Sequence, residues 1–335
     1  MSPSLTAAVD LGGTKISGAL LDADGTVLTL LQRPTPAHAP AEAVLHSVAE
    51  VLEQLAADPL WAHVSSLGIA SAGPVDIARG TVSPVNIPSW RDFPLVERLT
   101  AHAAVAQPAA GLPTVLVGDG VAMAAGEHWR GAARGFADAL CLVVSTGVGA
   151  GLVLDGAVRP GPTGNAGHLG HISVDLDGEP CPCGSRGCLE GIASGTAIAR
   201  RALRDGWRPP GDDASAAAVA ASARVGDPIA LASFDRAAQA LAAGIAATAT
   251  LVEIGVAVVG GGVAQAGEVL FAPLRLHLNT YAALPFARGF QVRPALLGAE
   301  AGLVGAAALA QGAQAQQATQ APAVSSMQAS AYEPR

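Results

Sequence analysis

The chain has 335 residues, more than the roughly 250–300 at which one hydrophobic core stops growing, so the sequence predicts two lobes. Its 19 basic and 27 acidic residues give a net charge of −8, which excludes the broad basic surface that nucleic acids and anionic membranes require. Although 50% of the residues are hydrophobic, the apolar runs 140–154 and 237–252 have only 15 and 16 residues, fewer than the roughly 18–20 of a membrane-spanning helix.

The first predicted unit is a β-hairpin within residues 7–28. An apolar run ends at Asp10, a Gly-Gly-Thr turn and a second apolar run follow, and Asp24-Gly25 is a hairpin turn signal. Residues 139–158 repeat this order, with a turn rich in Gly and Thr in the middle and Asp155-Gly156 at the end. The repeat predicts an internal duplication in which each lobe contributes one glycine-rich turn.

Strands and helices alternate along the rest of the chain, which predicts an α/β architecture. The predicted strands are residues 65–75, 114–117 and 254–259, and the predicted helices are residues 40–57, 121–129 and 215–252. From Gln311 to Arg335 the composition changes to Gln, Ala, Ser and Pro, which predicts a disordered tail. No basic segment precedes an apolar run at the N-terminus, so we expect no signal peptide and a cytoplasmic location.

The two glycine-rich turns, residues 10–15 and 145–151, are candidates for binding phosphate groups. Glycine lets backbone amides approach an anion closely, threonine hydroxyls add donors, and Lys15 is the only lysine of the chain. A tight turn without a ligand is the alternative. Asp10 at the end of a buried strand requires a partner such as Mg²⁺ through water. Neither turn has Walker or Rossmann spacing, which disfavours a P-loop ATPase or a dehydrogenase.

Three of the four cysteines, Cys181, Cys183 and Cys188, lie within eight residues and follow His171. Three thiolates and one imidazole suit tetrahedral Zn²⁺, and four protein ligands leave no open position, so the pattern predicts a structural zinc site. Buried free cysteines are the alternative, which this spacing disfavours.

Asp119 follows the strand 114–117 and lies between two glycines that leave room for a ligand. A carboxylate in this position can accept a proton from a hydroxyl group while the oxygen attacks a phosphoryl group. The alternative is that Asp119 is the N-cap of the helix that begins near Val121.

Together these segments resemble the ROK family (repressors, open reading frames, kinases). The resemblance rests on residues 10–15, 145–151, 167–171, 181–190 and 260–262, and it extends from about Ala7 to Ala310. It implies an actin-like, hexokinase-like (ribonuclease H-like) two-lobed ATPase fold of class α/β with a cleft between the lobes. The expected divisions are a small lobe of residues 1–118 completed by a helix around 300–311, a larger lobe of 119–299 with the zinc motif, and a disordered tail of 312–335.

The resemblance also implies roles for individual residues. Asp119 would be the general base for a sugar 6-hydroxyl, and Asp10 would help to place Mg²⁺. The nucleotide would be bound by Asp10, Gly12, Gly13, Thr14, Lys15, Thr146, Gly147, Gly261 and Gly262. The sugar would be bound by Asn86, Asp119, His168, His171 and Glu190, and His171 would ligate zinc with one nitrogen and meet a sugar hydroxyl with the other.

Two positions depart from the family pattern. Gly118 stands where the family usually has Asn, and His168 stands where it often has Glu. Histidine at 168 is similar to the pattern of bacterial N-acetylmannosamine kinases. A residue in a surface loop is the alternative for His168, and a turn residue before Pro88 is the alternative for Asn86.

The function that the resemblance implies is that of an ATP- and Mg²⁺-dependent hexose 6-kinase, with glucose as the first substrate to expect and an N-acylhexosamine as the alternative. A sugar sensor without turnover is a second hypothesis. A DNA-binding repressor is disfavoured because only nine residues precede Asp10 and because the chain is acidic. We expect a homodimer or homotetramer that binds neither nucleic acid nor membrane.

Overall fold

Each lobe is built on one five-stranded sheet in the computed structural model, which describes residues 4–320. The strands are β1 (Leu5–Leu11), β2 (Lys15–Leu21), β3 (Val27–Pro34), β4 (Val64–Ser71), β5 (Val75–Asp76), β6 (Thr81–Val82), β7 (Thr114–Gly118), β8 (Ala139–Val144), β9 (Val148–Leu154), β10 (Ala157–Val158), β11 (Val256–Gly260) and β12 (Gln291–Pro294). The first sheet has the order β3-β2-β1-β4-β7 and the second the order β10-β9-β8-β11-β12, while β5 and β6 form a separate ribbon. In both sheets an antiparallel meander is followed by two parallel strands, so the internal duplication predicted from the hairpins is confirmed.

Helices cover both sheets. They are α1 (Ala41–Ala56), α2 (Leu95–Thr100), α3 (Asp119–Arg130), α4 (Leu189–Ala193), α5 (Gly195–Arg204), α6 (Ala216–Arg224), α7 (Pro228–Val252), α8 (Glu268–Tyr281) and α9 (Ala301–Gln320). Short 3₁₀ turns include Leu169–His171 and Gly262–Ala266. None of the helices within residues 4–320 combines the length and the apolar character that crossing a bilayer requires.

Two helices, α3 and α9, connect the lobes. The chain leaves the first sheet through α3 and returns from β12 through α9, which packs on the first sheet and on α3. The contact is close because small residues form it: a Cβ on Gly305 would overlap the Ala122 carbonyl group, and a Cβ on Gly68 would overlap the Ala306 carbonyl group. The two segments by which the chain crosses between the lobes are therefore packed against each other.

Of the two predicted two-residue hairpin turns, the structure confirms the one at 155–156 and contradicts the one at 24–25. Asp155 and Gly156, with φ of 55° and 72°, form a two-residue connection between the paired residues Leu154 and Ala157, as predicted. The earlier turn is longer, because β2 ends at Leu21 and β3 begins at Val27. There the Asp22 carboxylate accepts hydrogen bonds from the amides of residues 24 and 26, so the prediction of a two-residue turn at 24–25 is wrong.

Two further boundaries differ from the prediction. The single helix predicted over 215–252 is wrong, because the chain turns at Gly226 and Asp227 begins α7 as its N-cap, accepting hydrogen bonds from Ile229 and Ala230.

The predicted tail is wrong at its start, because α9 continues to Gln320. Gln311 donates to the Asp22 carbonyl group at 3.1 Å and so holds this extension against the first sheet. The rest of the predicted tail, 321–335, lies outside the described residues.

The buried carboxylate of Glu127 links α3 to the segment between β12 and α9. It lies in α3 and accepts hydrogen bonds from the amides of Ala132 (2.7 Å), Leu296 (3.2 Å) and Leu297 (2.9 Å). The last two belong to the connection between β12 and α9. This carboxylate therefore holds the end of α3 against the segment that leads back to the first lobe.

Glu127→Ala is expected to lower the free energy of unfolding by about 3 kcal/mol or more, because hydrogen bonds to a charged group contribute ~1.5–3 kcal/mol each and buried donors lose their acceptor. Urea unfolding followed by circular dichroism measures the change. The control is Glu53→Ala on an exposed position of α1, expected to stay within ~0.5 kcal/mol of the parent. Equal unfolding midpoints for the two variants would contradict the assigned role of Glu127.

Candidate active site

A small pocket lies where the two lobes meet. Its lining includes Gly73, Gly118, Asp119, Gly149, Asn165 and His168. A more open depression is lined by residues of β3 and α9, and none of the predicted site residues lines it. The pocket between the lobes is the one that predicted site residues line, namely Asp119 and His168.

Asp119 is the first residue of α3 and lies directly after β7. Its Oδ1 accepts a hydrogen bond from the amide of Gly120 at 2.7 Å. The N-cap of α3 is Gly118, without a side-chain cap, so the structure does not support the alternative in which Asp119 is the N-cap. Burial raises the pKa of Asp119 to about 6, the hydrogen bond from Gly120 opposes the rise, and the nearby Glu190 carboxylate adds to it.

Asp10 on β1 faces the same region. Burial raises its pKa to about 7, the charge of Asp119 adds to the rise, and Lys15 opposes it. No residue that the structure describes donates a hydrogen bond to this carboxylate, which lies so close to α9 that a Cβ on Gly302 would overlap it. An unpaired and desolvated carboxylate is a suitable ligand for a hard divalent cation.

The first glycine-rich turn joins β1 and β2 and is held in shape by its own backbone. The Gly12 amide donates to the Lys15 carbonyl group at 3.0 Å, and the hydroxyl group of Thr35 donates to the Gly12 carbonyl group at 2.7 Å. None of the described residues accepts a hydrogen bond from the amides of Gly13 or Thr14. These two amides are available to an anion.

The second turn joins β8 and β9 and contacts Glu190, which lies in the first turn of α4. The Val148 amide donates to Glu190 Oε2 at 2.9 Å, and a Cβ on Gly147 would lie 2.6 Å from the same oxygen. The carbonyl group of Thr146 accepts from Thr196 at 3.2 Å. A side chain at position 147 would therefore push Glu190 away from the turn.

A third glycine turn follows β11 and approaches the end of β8. Gly261 has φ of 86°, and a Cβ there would overlap the carbonyl group of Val144. Gly262 begins a 3₁₀ turn beside it. The structure thus brings the predicted residues of the larger lobe, Thr146, Gly147, Gly261 and Gly262, to neighbouring strand ends of one sheet.

The resemblance predicts Asn86 and His168 as sugar ligands. The structure places His168 in the lining of the pocket and Asn86 in an exposed turn. Asn86 is exposed and lies against the first glycine-rich turn, where a Cβ on Gly13 would overlap its side chain. It also occupies a turn, because the Ile87 amide donates to the Pro84 carbonyl group at 3.2 Å, which agrees with the turn alternative. A sugar contact of Asn86 stays a prediction.

His168 lines the pocket, so the alternative of a surface loop is wrong for this residue. Its ring stacks on that of His171, with centroids 5.3 Å apart. Burial lowers the pKa of His168, the neighbouring His171 lowers it further, and Glu190 opposes the change.

The predicted zinc ligands come together as a cluster. Ligand atoms of His171, Cys181, Cys183 and Cys188 all lie within 4.8 Å of one another. The sulfur atoms of Cys183 and Cys188 are 3.7 Å apart, and Cys181 Sγ lies 3.8 Å from His171 Nδ1. Two sulfurs bound tetrahedrally at ~2.3 Å from zinc lie ~3.8 Å apart, so the geometry fits this metal. Nδ1 of His171 is the ring nitrogen directed at Cys181, so Nε2 is not needed for the metal.

Asn165 was not singled out from the sequence. It lies between Gly164 and Ala166 in the loop that follows β10, and its side chain hydrogen-bonds to the backbone of Val75 in the other lobe. The glycines on both sides of this loop segment signal an unusual backbone, but no residue pattern indicates which distant strand the amide contacts.

The sequence profile of the ROK family matches residues 6–313. The chain belongs to the ROK family. One relative of this ROK chain, the glucokinase of Thermotoga maritima, is 35% identical over 314 residues, which cover 90% of this chain and 95% of that protein. The N-acetylmannosamine kinase of Escherichia fergusonii is 37% identical over 311 residues, which cover 92% of this chain and 98% of that protein.

Solved structures agree with the ROK assignment. The crystal structure of a ROK family glucokinase from Streptomyces griseus in complex with glucose and AMPPNP is 35% identical, with a TM-score of 0.78. The match covers 92% of this chain and 100% of that chain. The two-lobed actin-like fold expected from the sequence is therefore confirmed.

Proposed function

We propose that this ROK chain is an ATP-dependent sugar kinase that phosphorylates the 6-hydroxyl group of a hexose, with glucose as the preferred substrate. The observation that carries the proposal is the Asp119 carboxylate, whose pKa is raised to about 6 and which lies in the pocket between the lobes. A base with this pKa is ionised at pH 7 and still basic enough to accept a proton as it leaves a hydroxyl group. The similarity to relatives named glucokinase supports the same reaction.

In the proposed reaction the sugar lies in the pocket with its 6-hydroxyl group at Asp119. The oxygen attacks the γ-phosphorus of ATP, the bond from that phosphorus to the β,γ-bridging oxygen breaks, and the hydroxyl proton moves to Asp119. ADP and the sugar 6-phosphate are the products. The free amides of Gly13 and Thr14 would bind phosphate oxygens, and closure of the lobes would exclude water.

Two metals belong to this proposal. The unpaired carboxylate of Asp10 fits Mg²⁺, which when bound would neutralise charge on the ATP phosphates. The Cys₃His cluster fits a structural Zn²⁺ that fixes the ring of His171, leaving Nε2 for a sugar hydroxyl group. Glu190, two residues after Cys188, would accept a hydrogen bond from a second sugar hydroxyl group.

A second candidate, an N-acylhexosamine kinase, is favoured by one specific observation. His168 presents an imidazole to the pocket at a position where the family often has a carboxylate, and Gly118 lacks the amide side chain that the family usually has there. An N-acetylmannosamine kinase is among the relatives that cover nearly the whole chain. Both candidates share the reaction at Asp119 and differ in the sugar.

A coupled assay of ADP release over a panel of sugars tests the proposal. Glucose, mannose, N-acetylglucosamine and N-acetylmannosamine would be compared at saturating Mg²⁺ and ATP, with calorimetry to measure sugar binding without ATP. The highest kcat/KM is expected with glucose, and a preference for an N-acyl sugar would establish the second candidate. If a sugar binds and no ADP is released, the protein is a sugar sensor without turnover and the proposed kinase function is wrong.

The activity is expected to fall at acid pH. Because Asp119 must be ionised to accept a proton, and its pKa is raised from 3.8 to about 6, kcat/KM should be level near neutral pH. Below about pH 6 it should decrease roughly tenfold per pH unit. Initial rates between pH 4.5 and 8, with circular dichroism as a control for folding, measure the profile. A level profile down to pH 4.5 would contradict a base of this pKa.

The resemblance to the ROK family also supports a homodimer or homotetramer as the working assembly. Sedimentation velocity at micromolar protein distinguishes the two, and a monomer at that concentration would overturn this part of the proposal.

A further inference from the structure

The side chain of Asn165 forms a bridge between the lobes. Its Oδ1 accepts a hydrogen bond from the Val75 amide at 3.0 Å, and its Nδ2 donates to the Val75 carbonyl group at 2.6 Å. Nδ2 also donates to the hydroxyl group of Thr163 at 3.0 Å, and the Thr163 carbonyl group accepts from the Ile77 amide at 3.1 Å. The amide of Asn165 thus pairs with β5 as a neighbouring strand would.

The bridge lies directly over the pocket of Asp119. Val75 lies two residues after Gly73, and a Cβ on Gly73 would lie 3.1 Å from Cε1 of His168. On the opposite side a Cβ on Gly118 would lie 3.4 Å from the Gly164 carbonyl oxygen. Gly73, Gly118, Gly164, Asn165 and His168 all line the same pocket, so the position of this bridge decides how closely the lobes approach there.

The hydrogen bonds that Asn165 already makes also limit its direct contact with a sugar. Its oxygen already accepts one hydrogen bond, and both hydrogens of its nitrogen have acceptors. A sugar oxygen could accept a hydrogen bond from Nδ2 only by replacing one of these partners, while Oδ1 keeps a second lone pair. The amide nitrogen therefore contributes to the site through Val75 and not as a donor to the sugar.

We infer that Asn165 is a positioning residue that stabilises the closed arrangement of the lobes and places residues 73–75 against the bound sugar. The inference rests on the proposed function, because it assigns the effect to sugar binding. Without the two hydrogen bonds to Val75, a smaller fraction of the unliganded protein is closed, and the apparent affinity for the sugar decreases by that fraction. Saturating sugar restores closure, so the rate of the chemical step changes little.

Asn165→Ala is expected to raise the KM for the sugar ~10-fold and to change kcat less than ~3-fold. The dissociation constant of the sugar measured without ATP should increase by the same factor as KM, while the KM for ATP stays near that of the parent. Asn165→Asp should raise the KM for the sugar as well, because a carboxylate oxygen would then face the carbonyl group of Val75. The control is Asn279→Ala on an exposed position of α8, expected to remain within about twofold of the parent.

Hydrogen exchange supplies a readout that does not depend on activity. In unliganded Asn165→Ala the amides of Val75 and Ile77 should exchange faster than in the parent, since one loses its acceptor and the other lies in the released segment. Amides of the central strand β8 should be unchanged. If the Ala variant does not fold, Thr163→Val replaces it, because this change removes one acceptor of Nδ2 and keeps the side-chain shape.

The outcomes separate the inference from the proposed function. If the parent protein releases no ADP with any sugar, the proposed kinase function is wrong. The hydrogen-exchange experiment then still tests whether Asn165 connects the two lobes. An active parent with an Asn165→Ala variant of unchanged sugar KM, or with unchanged exchange at Val75, overturns the inference. A variant that loses kcat while its sugar KM stays constant also overturns it, because Asn165 would then act on the chemical step.

Discussion

Asp119→Asn is expected to lower kcat by ~10²–10⁴-fold, the range that a general base contributes, while the affinity for the sugar changes little. The amide is nearly the same size as the carboxylate, and its oxygen can still accept the hydrogen bond from Gly120. It cannot accept a proton from the sugar hydroxyl group. The loss should therefore appear in kcat rather than in sugar binding.

The same substitution is expected to stabilise the protein. Burial raises the pKa of Asp119, so the ionised carboxylate destabilises the folded state. The contribution of this group to stability is fully present below its unfolded pKa of 3.8 and is lost as pH rises through about 6. At pH 7.5, Asp119→Asn should therefore melt at a higher temperature than the parent.

Steady-state kinetics, calorimetry with the sugar and thermal melting measure these three effects on one preparation. The control is Asp24→Asn, an exposed aspartate in the turn before β3, for which no change in kcat is expected. Turnover of Asp119→Asn within a few-fold of the parent would remove Asp119 as the base. Weaker sugar binding with unchanged turnover of the bound sugar would assign it to recognition instead.

Cys183→Ser is expected to release the metal and to lower the melting temperature by ~5 °C, since losing a structural zinc costs several kcal/mol and each kcal/mol corresponds to ~1.5 °C in a chain of 335 residues. Cys183 is exposed, so serine at this position has little packing cost and the change reports on the metal. Turnover should fall too, because Cys188 lies directly before α4, the helix that carries Glu190 to the second glycine-rich turn.

Elemental analysis and thermal melting of the parent, Cys183→Ser and Cys141→Ala test this expectation. Cys141 is buried in β8 and is not part of the cluster, so its alanine variant should keep about one zinc per chain. A parent with far less than one zinc per chain, or a Cys183→Ser variant with an unchanged melting temperature, would contradict the structural role of the metal.

The predictions from sequence were most accurate where a short segment carries the whole pattern. The Cys₃His set is an example, because three of its four ligands lie within eight residues and their spacing limits the possible geometry. The prediction of one helix over 215–252 is wrong because Asp227 before Pro228 is an N-cap followed by a proline, a local signal that divides the segment into two helices. The extension of α9 to Gln320 could not be predicted from composition, because contacts such as that of Gln311 with the first sheet stabilise it.

The sequence by itself determined the class of the fold, the duplicated hairpins, the glycine-rich turns and the metal ligands, because these features depend on residue type and spacing within single segments. Only the tertiary structure decided that Asp10, Asp119 and Glu190, from three distant segments, come so close that Asp119 raises the pKa of Asp10 and Glu190 raises the pKa of Asp119. It alone also decided that Asn165 pairs with the backbone of Val75. The physical reason is that electrostatic coupling and backbone hydrogen bonding depend on distances of a few ångströms between elements, and no spacing along the chain specifies them.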